Sequence, residues 1–202
     1  MFITFEGGEG TGKSTQIKLL ADRLTAKGKT IVITREPGGT KQAEVLRGLL
    51  VSGETDRWSA ESEALLNYAA RDSHLHEVIR PALAAGSTVL CDRFMDSTRA
   101  YQGYAGASTF HLLDELERSI VGETRPTLTL IFDLDPIIGL ARAKSRGDGA
   151  EDRFERKGLA FHQRIRDGFL EIAKSEPQRC HVIDANQPVE AVAAIIWSLV
   201  NG

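Results

Sequence analysis

A glycine-rich run near the N-terminus, Gly7-Gly8-Glu9-Gly10-Thr11-Gly12-Lys13-Ser14-Thr15, is built to hold phosphate. Residues 7–14 fit the pattern GxxxxGK[ST] and follow a short apolar stretch, residues 2–5. Glycines let consecutive backbone N–H groups turn inward around phosphate oxygens. Lys13 then reaches the β- and γ-phosphates, and the Ser14 hydroxyl is placed to hold Mg²⁺. A helix starting here adds the positive end of its dipole to the same anion site. The pattern arises by chance in roughly 1% of chains this long, and here a strand precedes it and a helix follows.

A second group ends the third apolar run, Leu90-Cys91-Asp92-Arg93-Phe94. Asp92 is suited to hold Mg²⁺ through water or to orient an acceptor phosphate, and Arg93 offers that phosphate a rigid fork of donors. As an isolated dipeptide the pair reads equally well as a charged strand end. It is followed, however, by Ser97-Thr98-Arg99-Ala100-Tyr101-Gln102-Gly103, whose neutral donors and acceptors suit the edges of a base and a sugar. The second apolar run ends in Arg35-Glu36-Pro37-Gly38-Gly39-Thr40, which forces an irregular loop. Arg47 and Arg71 lie on helices expected to face the same edge. Arg71 sits in a hydrophobic helix, where a buried cation needs a partner. A bound anion is one candidate and Asp72 another, although adjacent helical residues point apart.

These groups need a frame that brings them together. Residues 2–5, 30–34, 88–91, 128–132 and 181–183 read as buried strands. Helical patterns cover residues 13–27, 41–51, 60–85, 108–121, 136–146, 154–174 and 189–200. The alternation predicts one α/β domain over 1–202, a five-stranded parallel sheet with helices on both faces. Ligands then collect at the carboxyl ends of the strands. Residues 143–157 shift abruptly to charge and glycine and are the expected moving part.

Composition narrows the classes. At 202 residues, 42% hydrophobic and 26% charged, the chain is an ordinary globule. With 25 basic and 28 acidic residues its net charge is −3, which gives no global pull toward nucleic acid or an anionic membrane. No window approaches the roughly 20 apolar residues of a membrane span. The first strand and phosphate loop leave no room for a signal peptide, so a cytoplasmic location is expected. Cys91 and Cys180 are isolated, as expected of buried thiols in a reducing compartment. His74 and His76, two apart on a helix, read as solvated side chains rather than metal ligands.

Together these pieces resemble the bacterial thymidylate kinase family of P-loop nucleoside monophosphate kinases, essentially end to end. The marks are the run from Phe5 to Gln16, Arg35-Glu36-Pro37-Gly38-Gly39-Thr40, Asp92-Arg93-Phe94, Ala100-Tyr101-Gln102-Gly103 and Asp152-Arg153-Phe154-Glu155. The resemblance implies transfer of the ATP γ-phosphoryl group to dTMP, a homodimer and a mobile lid. It implies that Lys13 and the loop from Gly7 to Thr15 bind ATP phosphates, with Ser14 on Mg²⁺. Glu9 is similar to the carboxylate that meets the deoxyribose 3′-hydroxyl. Arg93, with Arg47 and Arg71, looks like the cradle of the dTMP phosphate or, for Arg71, a donor to the thymine carbonyl. Thr98 and Gln102 fall on base-touching positions, and Glu36 and Pro37 line the acceptor site.

Two departures stand out. Many relatives carry an aromatic four residues before the helix arginine, where this chain has Asn67; Tyr68 is about 100° round the helix. Phe94 replaces a commoner tyrosine. Eukaryotic relatives place an arginine at Gly10, whereas the bacterial type moves that duty to a lid, here residues 142–156. Arg146 and Arg153 are its candidate cations, because the transition state spreads negative charge that something must compensate. A kinase for another nucleoside monophosphate is the neighbouring reading. A guanine-reading switch would need an NKxD element, and no asparagine here precedes lysine.

Overall fold

The computed structural model describes residues 1–145 and 152–201; Arg146 lies outside the described residues. Five strands form one sheet in the order β2-β3-β1-β4-β5: β1 (Phe2–Gly7), β2 (Ile31–Arg35), β3 (Thr88–Asp92), β4 (Leu128–Asp133) and β5 (Cys180–Asp184). Every pairing is parallel. The chain leaves central β1 toward β2 and β3, then crosses to β4 and β5. The carboxyl end of β1 is therefore where successive connections diverge, the place such sheets bind ligands.

Both faces of the three central strands, β1, β3 and β4, are buried, which is why these strands read as apolar runs rather than alternating ones. Ile3, Phe5, Leu90, Leu130, Phe132 and Ile183 pack on one face against α1 (Lys13–Ala26) and α9 (Val189–Asn201). On the other face, Phe2, Val89 and Cys91 meet Tyr68, Leu75 and Ile79, while Ile131 meets Phe161, Ile165 and Phe169. Thr4 and Thr129, buried polar residues within β1 and β4, bond each other at 2.8 Å. The remaining helices are α2 (Lys41–Val51), α3 (Ala60–His74), α4 (Arg80–Ala84), α5 (Met95–Thr98), α6 (Phe110–Leu116), α7 (Pro136–Lys144) and α8 (Leu159–Ser175).

The helical expectations need four corrections, the first being that the helix expected over 108–121 starts at Phe110 and gives way after Leu116 to a π-helical turn, Glu117–Val121. Residues 60–85 are not one regular helix: a π-helical turn, Leu75–Ile79, separates α3 from α4. Pro81 lacks an N–H and crowds the carbonyl four residues back, so the turn before it widens. Residues 95–104, expected only as a polar stretch, form α5 and a π-helical turn, Arg99–Tyr104, held down by buried Met95, Ala100 and Tyr101. The helix expected from 154 starts at Leu159, because the residues before Gly158 turn back to pack on α2 and α3.

Candidate active site

The loop after β1 enters α1 through Gly12, and that helix start has no side-chain cap among the described residues. Its first amides are left for an anion. Gly10 packs backbone to backbone against α7: a Cβ there would lie 2.1 Å from the Gly139 carbonyl oxygen, and one on Gly139 would lie 2.4 Å from that of Glu9. Lys13 folds back over the loop, donating to the carbonyls of Gly7 (3.2 Å) and Gly8 (2.8 Å) and to Thr11 Oγ1 (3.3 Å). Burial and then Arg93 lower its pKa to about 8, against the opposing pull of Asp92 and Glu9.

The end of β3 faces this loop. The Ser14 hydroxyl donates to Asp92 Oδ2 at 3.0 Å. Arg93 has a left-handed backbone, φ 67°, uncommon outside glycine. It is pinned by its N–H on the Phe5 carbonyl, and its side chain donates to Gly7 O (2.8 Å), Ser97 Oγ (3.2 Å) and Glu9 Oε1 (2.8 Å). Tyr101 donates to the same Glu9 oxygen at 2.9 Å. Burial would raise the Glu9 carboxyl, but Arg93 and Lys13 outweigh it and hold it at about 2. Beneath the site, Glu6 accepts from the Phe94 N–H (2.8 Å) and Ser97 Oγ (2.5 Å). Burial and then Asp96 push Glu6 up to about 7.

The third wall joins the loop after β2 to α3. Glu36 accepts from Arg71 Nε at 2.7 Å and meets His74 Nδ1 at 2.9 Å; His74 Nε2 lies 2.6 Å from Thr34 Oγ1. The partner of Arg71 is thus Glu36, neither Asp72 nor an anion alone. His74, expected in solvent, is fully buried and braces that pair. Arg71 Nη2 donates to Thr98 Oγ1 at 3.0 Å, while buried Nη1 has no partner among the described residues. Arg47 donates to the Pro37 carbonyl at 2.9 Å. Gln102 Nε2 donates to Glu63 Oε2 at 2.8 Å.

These walls enclose a crevice of about 350 Å³. Of the residues expected to form a site, Glu9, Gly10, Thr11, Gly12, Lys13, Ser14, Glu36, Pro37, Arg47, Asn67, Arg71, Asp92, Arg93, Thr98 and Gln102 line it. Gly7 and Gly8 stand behind, supplying carbonyls to Lys13 and Arg93, and Thr15 is exposed on α1. Tyr68 is fully buried and does not line the crevice, so it does not replace the missing ring at Asn67.

Arg153 requires a correction. It is fully buried, donating to the carbonyls of Leu50 (3.0 Å), Glu54 (2.8 Å) and Thr55 (3.1 Å) and to Glu63 Oε1 (2.6 Å). Its donors are consumed in clamping the α2–α3 connection, so it is not an open cation facing the crevice. Conversely, Tyr101, Ser97, Phe154 and Glu155 line the crevice without having been singled out. Tyr101 and Ser97 lay within motifs already noted, but only their contacts reveal their partners.

No group of three or more His, Cys, Asp or Glu side chains among the described residues could hold a metal by itself. The hydroxyl–carboxylate pair Ser14–Asp92 suits a hard cation that brings phosphate oxygens with it, as Mg²⁺ does.

Residues 5–196 match the sequence model of the family described as thymidylate kinase. The thymidylate kinase of Caulobacter vibrioides is 58% identical over 199 residues, covering 98% of this chain and 95% of that one. That of Magnetococcus marinus is 54% identical over 201 residues, covering 100% and 95%. The crystal structure of thymidylate kinase from Ehrlichia chaffeensis superposes with a TM-score of 0.79 at 37% identity, covering 99% of this chain and 98% of that one.

Proposed function

The chain belongs to the thymidylate kinase family, and from that premise we propose how its crevice transfers the γ-phosphoryl group of ATP to dTMP, yielding dTDP and ADP. An oxygen of the dTMP 5′-phosphate attacks the γ-phosphorus in line as the bond to the β-bridging oxygen breaks. That oxygen is already anionic, so alignment and charge neutralisation suffice and no strong base is needed.

The loop amides and Lys13 take the ATP phosphates, Lys13 exchanging the carbonyls of Gly7 and Gly8 for phosphate oxygens. Ser14 and Asp92 would hold Mg²⁺, which would supply charge neutralisation for the phosphate groups. Arg93 takes the acceptor phosphate, with Arg47 beside it, and Glu9 meets the 3′-hydroxyl. Arg71 offers its unpartnered Nη1 to a thymine carbonyl, while Thr98, Gln102, Glu36, Pro37 and Asn67 enclose the base and sugar. The observation that carries this reading is that Lys13, the Ser14–Asp92 pair and the Arg93–Glu9 pair all line one crevice.

The lid role falls to the part of residues 143–157 that carries Arg146, with Arg146 as the cation for the transferring group, while Arg153 anchors the end of that segment on α2 and α3. The crowding of Gly10 against Gly139 supports this division of labour, because it leaves no room for an arginine on the phosphate loop. Arg146→Ala then lowers turnover more than dTMP affinity. The enzyme works in the cytoplasm as a homodimer; exposed Val45, Leu65 and Phe110 supply apolar surface for pairing, and sedimentation tests it. No helix among the described residues is long and apolar enough to cross a membrane.

The deciding experiment is coupled ADP release with dTMP, dUMP, dCMP and dGMP as acceptors, with and without Mg²⁺. Release is expected to depend on dTMP and on the metal. Absence of dTMP-dependent release sinks the reading.

A further inference from the structure

Glu63, in the first turn of α3, is 2% exposed, yet three side chains from two segments converge on its carboxylate. Oε2 accepts from Gln102 Nε2 at 2.8 Å; Oε1 accepts from Arg153 Nη2 at 2.6 Å and lies 3.4 Å from Lys157 Nζ. A carboxylate held between cations only accepts, so only the NH₂ end of Gln102 can face it. The oxygen end of the same amide is left to a ligand, in a residue that lines the crevice. Arg71 sits in that wall with Nε on Glu36, Nη2 on Thr98 and Nη1 unpartnered. The base end of the crevice therefore presents one fixed acceptor and one unpartnered donor. A thymine or uracil edge supplies the complement, a C4 carbonyl beside an N3–H. A cytosine edge supplies the reverse, an amino group beside a bare N3.

We infer that Glu63 is a positioning residue that sets base specificity: by holding the amide nitrogen of Gln102, it fixes the Gln102 oxygen as the acceptor that selects an imide base over an aminopyrimidine. Arg153 keeps Glu63 in place, since its guanidinium is anchored on three backbone carbonyls as well as on the carboxylate. The inference rests on the crevice being the dTMP site.

The test is the ratio of kcat/KM for dTMP to that for dCMP. In Glu63→Gln the amide oxygen introduced at position 63 stays with Arg153, which only donates, so its NH₂ faces Gln102. Gln102 must then turn its own oxygen inward and offer NH₂ to the base. The dTMP:dCMP ratio should fall roughly 10-fold or more, the scale of a buried polar group facing the wrong partner. Exchanging the two side chains in the double variant E63Q/Q102E returns an acceptor to the crevice. It should restore the ratio to within about 3-fold of the parent, because the hydrogen-bond polarity is re-established.

A purely structural role for Glu63 predicts loss of melting temperature and turnover in E63Q with no change of ratio and no rescue; that result overturns the inference. Should E63Q alone melt below the assay temperature, the exchanged variant decides, and losing the ratio while folded also overturns it. The parent must itself reject dCMP by at least about 10²-fold, since both contacts are reversed; equal use of dCMP and dTMP overturns it too. Failure of the parent to use dTMP would instead sink the kinase reading, so the two failures are distinct.

Discussion

Arg93 Nη2 lies 2.8 Å from Glu9 Oε1, an ion pair joining the end of β3 to the middle of the phosphate loop. Tyr101 stacks beneath the guanidinium, 5.1 Å from ring centroid to Cζ, and donates to the same carboxylate. The cation is thus aimed across the crevice before a phosphate arrives, and much of its side-chain entropy is already spent. Burial disfavours its charge, but Tyr101, Glu9 and Asp92 more than compensate and hold its pKa above the ordinary arginine value.

Arg93→Ala should lower turnover at least about 10²-fold, the scale for losing one donor to developing charge. Arg93→Lys should recover only part of this, because an ammonium lacks the fork. Steady-state rates at saturating dTMP and MgATP check both; a near-normal alanine variant would remove Arg93 from the mechanism.

Lys13 has its pKa lowered to about 8 by burial first and Arg93 second. In the free enzyme it is charged below that value and neutral above it. Phosphate capture, read as kcat/KM for MgATP, should therefore be level near neutrality and decline as pH passes about 8, the free-enzyme pKa governing that ratio. Arg93→Ala should shift the break upward, since it removes one of the lowering influences. A profile level to pH 9.5 would contradict the assignment.

Glu6 is raised from 4.5 to about 7, by burial and then Asp96. The folded state holds this proton more tightly than the unfolded chain does. Its contribution to stability is thus present at low pH and lost as pH rises from about 4.5 through 7. Glu6→Gln keeps an acceptor for the Phe94 N–H and should flatten that part of the Tm–pH curve. Parallel curves for parent and variant between pH 5 and 8 would show that Glu6 does not titrate there.

Breaking the buried Arg153–Glu63 pair should cost about 3–5 kcal/mol. Arg153→Met should accordingly lower Tm on the order of 10 °C for a chain of this size. A 10²-fold fall in kcat with unchanged Tm would instead return Arg153 to the catalytic step.

Gly139→Ala drives a methyl group into the Glu9 carbonyl and should displace the phosphate loop, raising KM for MgATP roughly 10-fold, within the range of overpacking a rigid site. Gly48→Ala is the control: a Cβ on this glycine of α2 meets nothing within 4 Å, and helix propensity favours the change. Equal effects at both positions would rule out a specific role for the Gly10–Gly139 contact.

The chain alone determined whatever depends on neighbours in sequence. Strands buried on both faces announce themselves as apolar runs, and the phosphate loop is legible because its amides, Lys13 and Ser14 come from consecutive residues with fixed backbone geometry. Pairings across the fold were not legible in this way. Glu36 rather than Asp72 balances Arg71, His74 lies in the core, and Arg153 is a buried clamp although its surroundings read as a charged moving part. Side-chain chemistry is written locally, but whether a charge meets water, an opposite charge or a ligand depends on which helix face the sheet brings against it. Only the tertiary structure decides that, because the desolvation of a cation and the carboxylate that offsets it come from segments 35 and 90 residues apart.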